Sequence, residues 1–395
     1  MLDMDYDLHE YGKRLGIALR RIKNSSISER NKDFILRFHR ECFSEGLSLG
    51  RIVKYIYTLL KISELLGKDF DAAKIEDIKE LAAKLEQSKY AEATKSDFRQ
   101  MLKKFYRWLR GTENYPEEVK WLRTGLKLHQ QKLPEELLTE EEVKKLIDAA
   151  RLPRDRALVS VLYESGCRIG ELAGIKLKNV AFDQHGAQLT VKGKTGPRRI
   201  RIIASVSYLA DWINKHPLKG DPEAFLWITN TCKNNPVPYQ GFKSILLRIR
   251  ERAGIKKKVN PHNFRHSRAT FLANHLTEAQ MKEYFGWVQA SDMASVYVHL
   301  SGRDVDNAIK KVYGIADESN SKEESLFKPK QCQRCKDLNA PTNTLCSKCG
   351  TPLDSISHVK KDIERKTADE IMNKLWEDSE VRNFILSKIQ ELKDI

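Results

Sequence analysis

Between Gly111 and Thr139 the chain reads TENYPEEVKWLRTGLKLHQQKLPEELL, dense in charge, marked by Pro116 and Pro134 and without apolar periodicity. Such a stretch has no face to bury, so it divides the 395 residues into bodies that fold separately. We place a linker at residues 126–138. Ahead of it, residues 1–125 read as all-α: apolar residues recur three and four apart in FILRFHRECF, RIVKYIYTLLKISELLG and DFRQMLKKFYRWLRG. The last of these sets Phe98, Phe105 and Trp108 against Lys103, Lys104, Arg107 and Arg110. Its basic side is either a phosphate-facing surface or an ordinary solvated face.

Beyond the linker, Thr139 followed by Glu142 is a capping-box pattern that opens a second body, residues 139–317. Helical text, PRDRALVSVLYESG, leads to a short helix at ELAGI. The segments AQLTVKG and RRIRII then read as two β-strands joined through KTGP. From YQGFKSILLRIRERAG onward the text is helical to about Val312. The expected class is α+β: mostly helical, with one small hairpin. A polar, serine-rich linker spans residues 318–330, a cysteine module residues 331–354, and an amphipathic helical tail residues 355–395.

Lysine and arginine number 70 against 54 aspartates and glutamates, a formal charge of +16. That excess favours a polyanionic partner, because each phosphate neutralised releases condensed counterions. No apolar run reaches the ~18–20 residues needed to cross a bilayer, and MLDMDYDLHEYGKRLG lacks the apolar core of a signal peptide. The expectation is a cytoplasmic protein without a membrane partner, its seven cysteines reduced.

The second body holds a set of residues suited to one reaction. Transesterification of a phosphodiester without a metal needs a nucleophile, cationic donors on the non-bridging oxygens, an acid for the leaving oxygen and a base. Arginine suits the oxygen clamp because its planar fork stays charged and binds bidentately. Arg168 stands in SGCRIGELAGI, His262 and Arg265 in PHNFRHSRAT, and Trp287 and Tyr297 in YFGWVQASDMASVYVHL. Lys194 sits at the tip of the hairpin VKGKTGPRR. No Walker-type glycine loop and no carboxylate cluster for a two-metal nuclease accompanies them.

The order Arg168, Lys194, His262, Arg265, Trp287, Tyr297 resembles the tyrosine recombinase, or phage integrase, family. The resemblance covers about Thr139 to Tyr313 and, more loosely, the helical N-terminal part, which looks like the family's core-binding domain. It implies a site-specific DNA recombinase or integrase that cleaves and rejoins DNA through a 3′-phosphotyrosyl intermediate, without ATP, nucleotide or catalytic metal. Double-stranded DNA would be the partner, wrapped between the two domains by a homotetramer. Arg168 and Arg265 would clamp the scissile phosphate, and Glu171 would orient Arg168. Lys194 would protonate the leaving oxygen, with Lys192 as its rival. His262 would accept a proton or hold the phosphate, supported by His266. Trp287 stands where histidine is commoner; it is a neutral donor there or a plain core residue. Tyr297 is the nucleophile, its competitors being Tyr284 and Tyr313. A type IB topoisomerase, with the same chemistry but no strand exchange, and a catalytically silent DNA-binding protein are the alternatives. Nine basic residues and one acid between Lys243 and Arg268, and five basic residues between Lys192 and Arg201, would track the DNA backbone.

Cys332, Cys335, Cys346 and Cys349 form C-x2-C-x10-C-x2-C. Two close pairs meet the needs of one tetrahedral zinc held by four thiolates, and so short a module would take its fold from the metal. The module resembles a zinc ribbon, most clearly in CSKCGTPL; a redox dithiol is the rival. The tail after His358 carries eight basic and nine acidic residues, so it is no DNA arm. Its stripe of Val381, Phe384, Ile385, Ile389 and Leu392 is suited to docking on protein.

Overall fold

The computed structural model describes residues 7–125, 134–193, 196–229, 235–300, 329–339, 341, 343–346, 348–384 and 387. The chain separates into two units, Met1–Lys132 and Leu133–Ile395. In the first, apolar stripes at helical spacing bury against one another in α1 (Tyr11–Lys23), α2 (Glu29–Ser44), α3 (Leu49–Leu66), α4 (Ile75–Gln87), α5 (Glu92–Arg110) and the single turn α6 (Glu117–Lys120). Helix α3 supplies the widest stripe, with Ile52, Val53, Ile56, Leu59, Leu60 and Ile62 all buried. Phe38, Phe70 and Phe105 meet edge to face, at ring separations of 5.4 Å and 4.7 Å.

The turn α6 lies in the stretch read as a connector, and helices α1 and α4 were not among those read from the sequence. Their buried faces are narrow: Ala18 and Ile22 in the first, and Ile78, Leu81 and Leu85 in the second. The basic side of α5 is partly spoken for within the unit. Lys104 pairs with Glu45 at 2.6 Å and Arg110 with Glu118 at 2.9 Å, while Lys103 lies over the Tyr115 ring.

The second unit starts inside the expected linker. Leu137 and Leu138 are buried, the Leu138 N–H donates to Ser267 Oγ at 2.8 Å, and Asn263 Nδ2 donates to the Glu136 carbonyl at 3.0 Å. The capping box then forms as read. Thr139 Oγ1 accepts from the Glu142 N–H and the Glu142 carboxylate accepts from the Thr139 N–H, opening α7 (Glu140–Ala149). Helix α8 (Pro153–Ser165) is buried from Arg154 onward except at Arg156. It is buried on nearly every side, its polar residues included, and is therefore central. Its end is pinned by a buried carboxylate: Glu164 accepts the N–H groups of Ile203, Ala204 and Ser205 at 2.7–2.9 Å.

The short helix α9 (Ile169–Ala173) follows, then a three-stranded antiparallel sheet of β1 (Val180–Asp183), β2 (Gly186–Gly193) and β3 (Gly196–Ile202) in the order β1-β2-β3. The hairpin was expected; β1 was not, because its four residues, VAFD, carry too short a pattern to register. In β2 and β3, Ala187, Leu189 and Val191 share the inward face with Ile200 and Ile202. Arg198, opposite Val191, falls on that same face. After α10 (Val206–Asn214), also unread in the sequence, come α11 (Tyr239–Arg252), α12 (Pro261–Ala273), α13 (Glu278–Phe285) and α14 (Met293–Leu300). Two short strands, β4 (Lys330–Gln331) and β5 (Leu338–Asn339), flank the first cysteine pair, and a further helix spans Ser355–Glu377. Among the described residues no helix is long and apolar enough to cross a membrane. Ile385, Ile389 and Leu392 lie outside the described residues, whereas Phe384 is exposed.

Asn31 holds the first unit's corner. Its Nδ2 donates to Ser63 Oγ at 2.9 Å and the Lys68 carbonyl at 3.0 Å, and its Oδ1 accepts the Phe70 N–H at 2.8 Å. Asn31→Ala strips partners from groups shut away from water, so urea titration of the full chain should show a loss of about 2–4 kcal/mol in this unit. A loss below ~0.5 kcal/mol would mean that the bonds are decorative.

Candidate functional site

Two glycines let the site close. Gly166 ends α8 with φ +55°, and a Cβ there would stand 2.5 Å from the Phe285 ring. Gly286 ends α13 with φ +61°, and a Cβ there would stand 2.8 Å from the Arg198 guanidinium. The ends of α8 and α13 thus come together with carbonyls presented to one spot. Arg265, buried on α12, donates to the Gly166 carbonyl at 2.8 Å and to the Phe285 carbonyl at 2.6 Å. Its guanidinium also lies over the rings of Phe285 and Trp287, 5.0 Å and 5.5 Å from their centroids.

Arg168, at the N-cap of α9, donates to Glu171 at 2.9 Å and to the Gly286 carbonyl at 3.3 Å. Its side chain remains 37 % exposed, so its outer edge faces solvent. Glu171 serves a second arginine as well. Arg198 donates through both terminal nitrogens to the two Glu171 oxygens at 2.8 Å, and through Nε to the Tyr284 carbonyl at 3.0 Å. The sequence reading counted Arg198 among backbone-tracking basic residues. Its inward register in β3, shared with Ile200 and Ile202, was the available signal.

Burial pushes the Glu171 carboxyl up, but its bonds to Arg198 and Arg168 together hold it below the usual glutamate range. Burial, with the Arg168 charge beside it, lowers Arg265 to about 10, which still leaves it a cation at neutral pH.

Tyr297, on α14, is 3 % exposed and packs into a small core with Ala269, Ala273, Met281, Phe285 and Ala294. Its ring lies parallel to Trp287, 5.5 Å away at 1°, and Trp287 in turn stacks on Phe285 at 4.9 Å. Burial raises the phenol to about 12 against the opposing pull of Arg265, so the hydroxyl is protonated at neutral pH. Its hydrogen-bond partner is His266 Nδ1. His262, one turn earlier on α12, stacks on His266 at 5.7 Å. The competing Tyr284 is committed elsewhere: its hydroxyl donates to the Glu164 carbonyl at 2.9 Å. Tyr313 and Lys194 lie outside the described residues. Lys192, the alternative acid, is exposed on β2 opposite Pro197.

Arg168, Arg265, His262, Trp287 and Tyr297 are therefore brought together, with Arg198, Glu171 and His266 added. A cluster of cations beside a buried phenol is suited to binding a phosphodiester and attacking it. The profile of the phage integrase family matches residues 136–304. The chain is 28% identical over 274 residues to the tyrosine recombinase XerA of Pyrococcus furiosus, covering 68% of this chain and 89% of that one. It is 29% identical over 274 residues to the tyrosine recombinase XerC of Pelotomaculum thermopropionicum, covering 63% and 84%. Among solved structures, a lambda integrase dimer bound to a COC′ core site shares the fold at TM-score 0.54 and 17% identity, covering 73% of this chain and 82% of that one. The XerH recombinase in a post-cleavage complex with a palindromic difH substrate does so at TM-score 0.52 and 20% identity, covering 79% and 98%.

Elsewhere in the second unit, Cys332, Cys335, Cys346 and Cys349 bring their sulfurs within 4.8 Å of one another. The two cross pairs, Cys332–Cys349 and Cys335–Cys346, stand 3.5 Å apart. Tetrahedral thiolates at ~2.3 Å from a zinc ion lie ~3.8 Å from each other, so the set fits one such ion. Each pair sits in the same backbone turn. Lys336 N–H donates to the Cys332 carbonyl and Gly350 N–H to the Cys346 carbonyl, both at 2.9 Å, with φ of +60° at Lys336 and +68° at Gly350.

Glu171→Gln would leave two arginines without their anion. Removing one partner of a buried pair costs about 3–5 kcal/mol; Arg168 is partly solvated, so about 2–4 kcal/mol is expected in urea denaturation at pH 7. The folded carboxyl is depressed, so its contribution is present above the ordinary glutamate value of ~4.3 and fades as pH falls below it. The variant's stability should accordingly be flatter than the wild type's on acidification, and parallel curves would refute the ion-pair account.

Proposed function

We propose that this chain is a tyrosine-type site-specific DNA recombinase. The observation that carries the reading is one site holding Arg168, Arg265 and the buried Tyr297, linked through the Trp287 ring. Arg168 and Arg265 take the two non-bridging oxygens of the scissile phosphate and stabilise the charge that builds there. Tyr297 attacks phosphorus to give a 3′-phosphotyrosyl ester. The ester conserves the phosphodiester's free energy, so rejoining needs no ATP. His262 serves the phosphate, Lys194 protonates the leaving 5′ oxygen, and Trp287 supplies packing and a neutral donor. Arg198 and Glu171 position Arg168.

The relatives are named as tyrosine recombinases, and one solved relative is a lambda integrase tetramer bound to a Holliday junction. A homotetramer on double-stranded DNA, working in the cytoplasm, is the corresponding assembly for this chain. In the domain plan we propose, residues 1–125 form a helical DNA-binding domain, 139–317 the catalytic domain with its connector docked from Leu137, 331–354 a zinc ribbon and 355–395 a tail. The four cysteines would hold one structural zinc; thiolates so placed fill all four positions of a tetrahedral ion, leaving none for substrate.

The full chain should trap DNA from a library of nicked duplexes with a randomised core, and sequencing the trapped strands identifies the site. Tyr297→Phe should abolish the covalent adduct while binding persists, and Arg168→Ala should block cleavage. An adduct formed by Tyr297→Phe would rule out the nucleophile. Metal analysis should return about one zinc per chain, lost when Cys332 and Cys335 become serine; purified protein without zinc, its thiols intact, would contradict the ribbon.

A further inference from the structure

We propose that His266, rather than the motif histidine His262, is the catalytic base that takes the proton from Tyr297; the proposal rests on Tyr297 being the nucleophile. Three observations carry it. The Tyr297 hydroxyl has His266 Nδ1 as its hydrogen-bond partner. The two rings lie 5.7 Å apart at 40°, on elements α12 and α14 that pack together. His262 is exposed and stacks on His266, 26° from parallel, rather than on Tyr297.

The chemistry requires such a partner. Burial keeps the phenol protonated well above neutral pH, so it is a poor nucleophile unless its proton leaves as it attacks. Trp287, the ring stacked on Tyr297, has only an N–H to donate and no site to receive a proton. Neutral imidazole with its proton on Nε2 offers Nδ1 as acceptor, towards the hydroxyl. In the forward step the Tyr297 O–H proton passes to His266 Nδ1 as the phenolic oxygen bonds to phosphorus. The bond from phosphorus to the 5′ oxygen breaks, and that oxygen takes a proton from the Lys194 ammonium. In rejoining, the incoming 5′ hydroxyl gives its proton to the Lys194 amine, and the departing phenolate recovers its own from His266.

Single-turnover cleavage by the full chain, on the nicked duplex recovered from the library, tests this. It is run with ordinary DNA and with sulfur replacing the 5′ bridging oxygen at the scissile phosphate. A thiolate leaves without protonation, so the sulfur substrate relieves a missing acid and not a missing base. His266→Ala should cleave both substrates about 100-fold or more slowly, with DNA binding unchanged and added imidazole restoring part of the rate. Lys194→Ala should be rescued by sulfur. His266→Phe, which keeps a ring in the packing, should be as slow as His266→Ala and should not respond to imidazole. Cleavage by His266→Ala at or above the wild-type rate would show the contact to be a latch or a bystander, and rescue of His266→Ala by sulfur would make His266 the acid; either overturns the proposal. The nucleophile assignment fails separately, through an adduct that survives Tyr297→Phe.

Discussion

Three guanidinium groups share the site with the Glu171 carboxylate, which pairs with only two of them, and the rest of the site follows from that imbalance. Glu171 binds Arg198 through both oxygens and Arg168 through one, while the hydrogen bonds of Arg265 end on the carbonyls of Gly166 and Phe285. Carbonyl dipoles steer a cation without neutralising it. The neighbouring Arg168 charge and burial both press on Arg265, which is held at about 10. A phosphodiester at this cluster would meet an Arg265 charge already buried and guanidinium groups fixed in direction. At an effective dielectric near 20, a unit charge 4 Å away is worth about 4 kcal/mol, and none of that is spent on reorganising water.

The same arginine sets the position of the phenol. Arg265 lies over Phe285 and Trp287, and Trp287 stacks on Tyr297, so guanidinium, indole and phenol form one packed series. A neutral indole suits that place because its face attracts the cation on one side while its area buries the tyrosine on the other. A charged imidazolium there would add a fourth cation to a group already short of anions. A tryptophan at this place is thus consistent with its surroundings, and its indole has no site to receive a proton.

Much of this was legible in the sequence. Arg168, His262, Arg265, Trp287 and Tyr297 were found by motif order, the helical class by apolar spacing, and the cysteine cluster by two C-x2-C pairs. What was missed had physical reasons. Helices α1 and α4 bury two and three residues of their central stripes, too few to stand out from charge. Strand β1 is four residues long and exists because β2 offers it a partner. Leu137 and Leu138 read as linker because the groove that buries them is built by α12, more than a hundred residues later. Arg198 was visible in register but was taken for surface charge, since its anion arrives from α9 and no local pattern announces it.

Helix α12 shows how one rigid element unites these roles. His262, Arg265 and His266 are spaced three and four apart, which sets them on neighbouring faces of successive turns. The Asn260 side chain caps the helix by accepting the Asn263 N–H at 2.9 Å, and Ser267 ties its middle to Leu138. Arg265 therefore points to the meeting ends of α8 and α13 while His266 points to α14. Rotation of α12 about its axis would move Arg265 and the partner of the phenol together. Their relation is fixed by the pitch of a single helix, whereas α14 reaches it only through packed side chains. Motion of α14 would accordingly carry Tyr297 relative to arginines that α8, α12 and α13 keep in place.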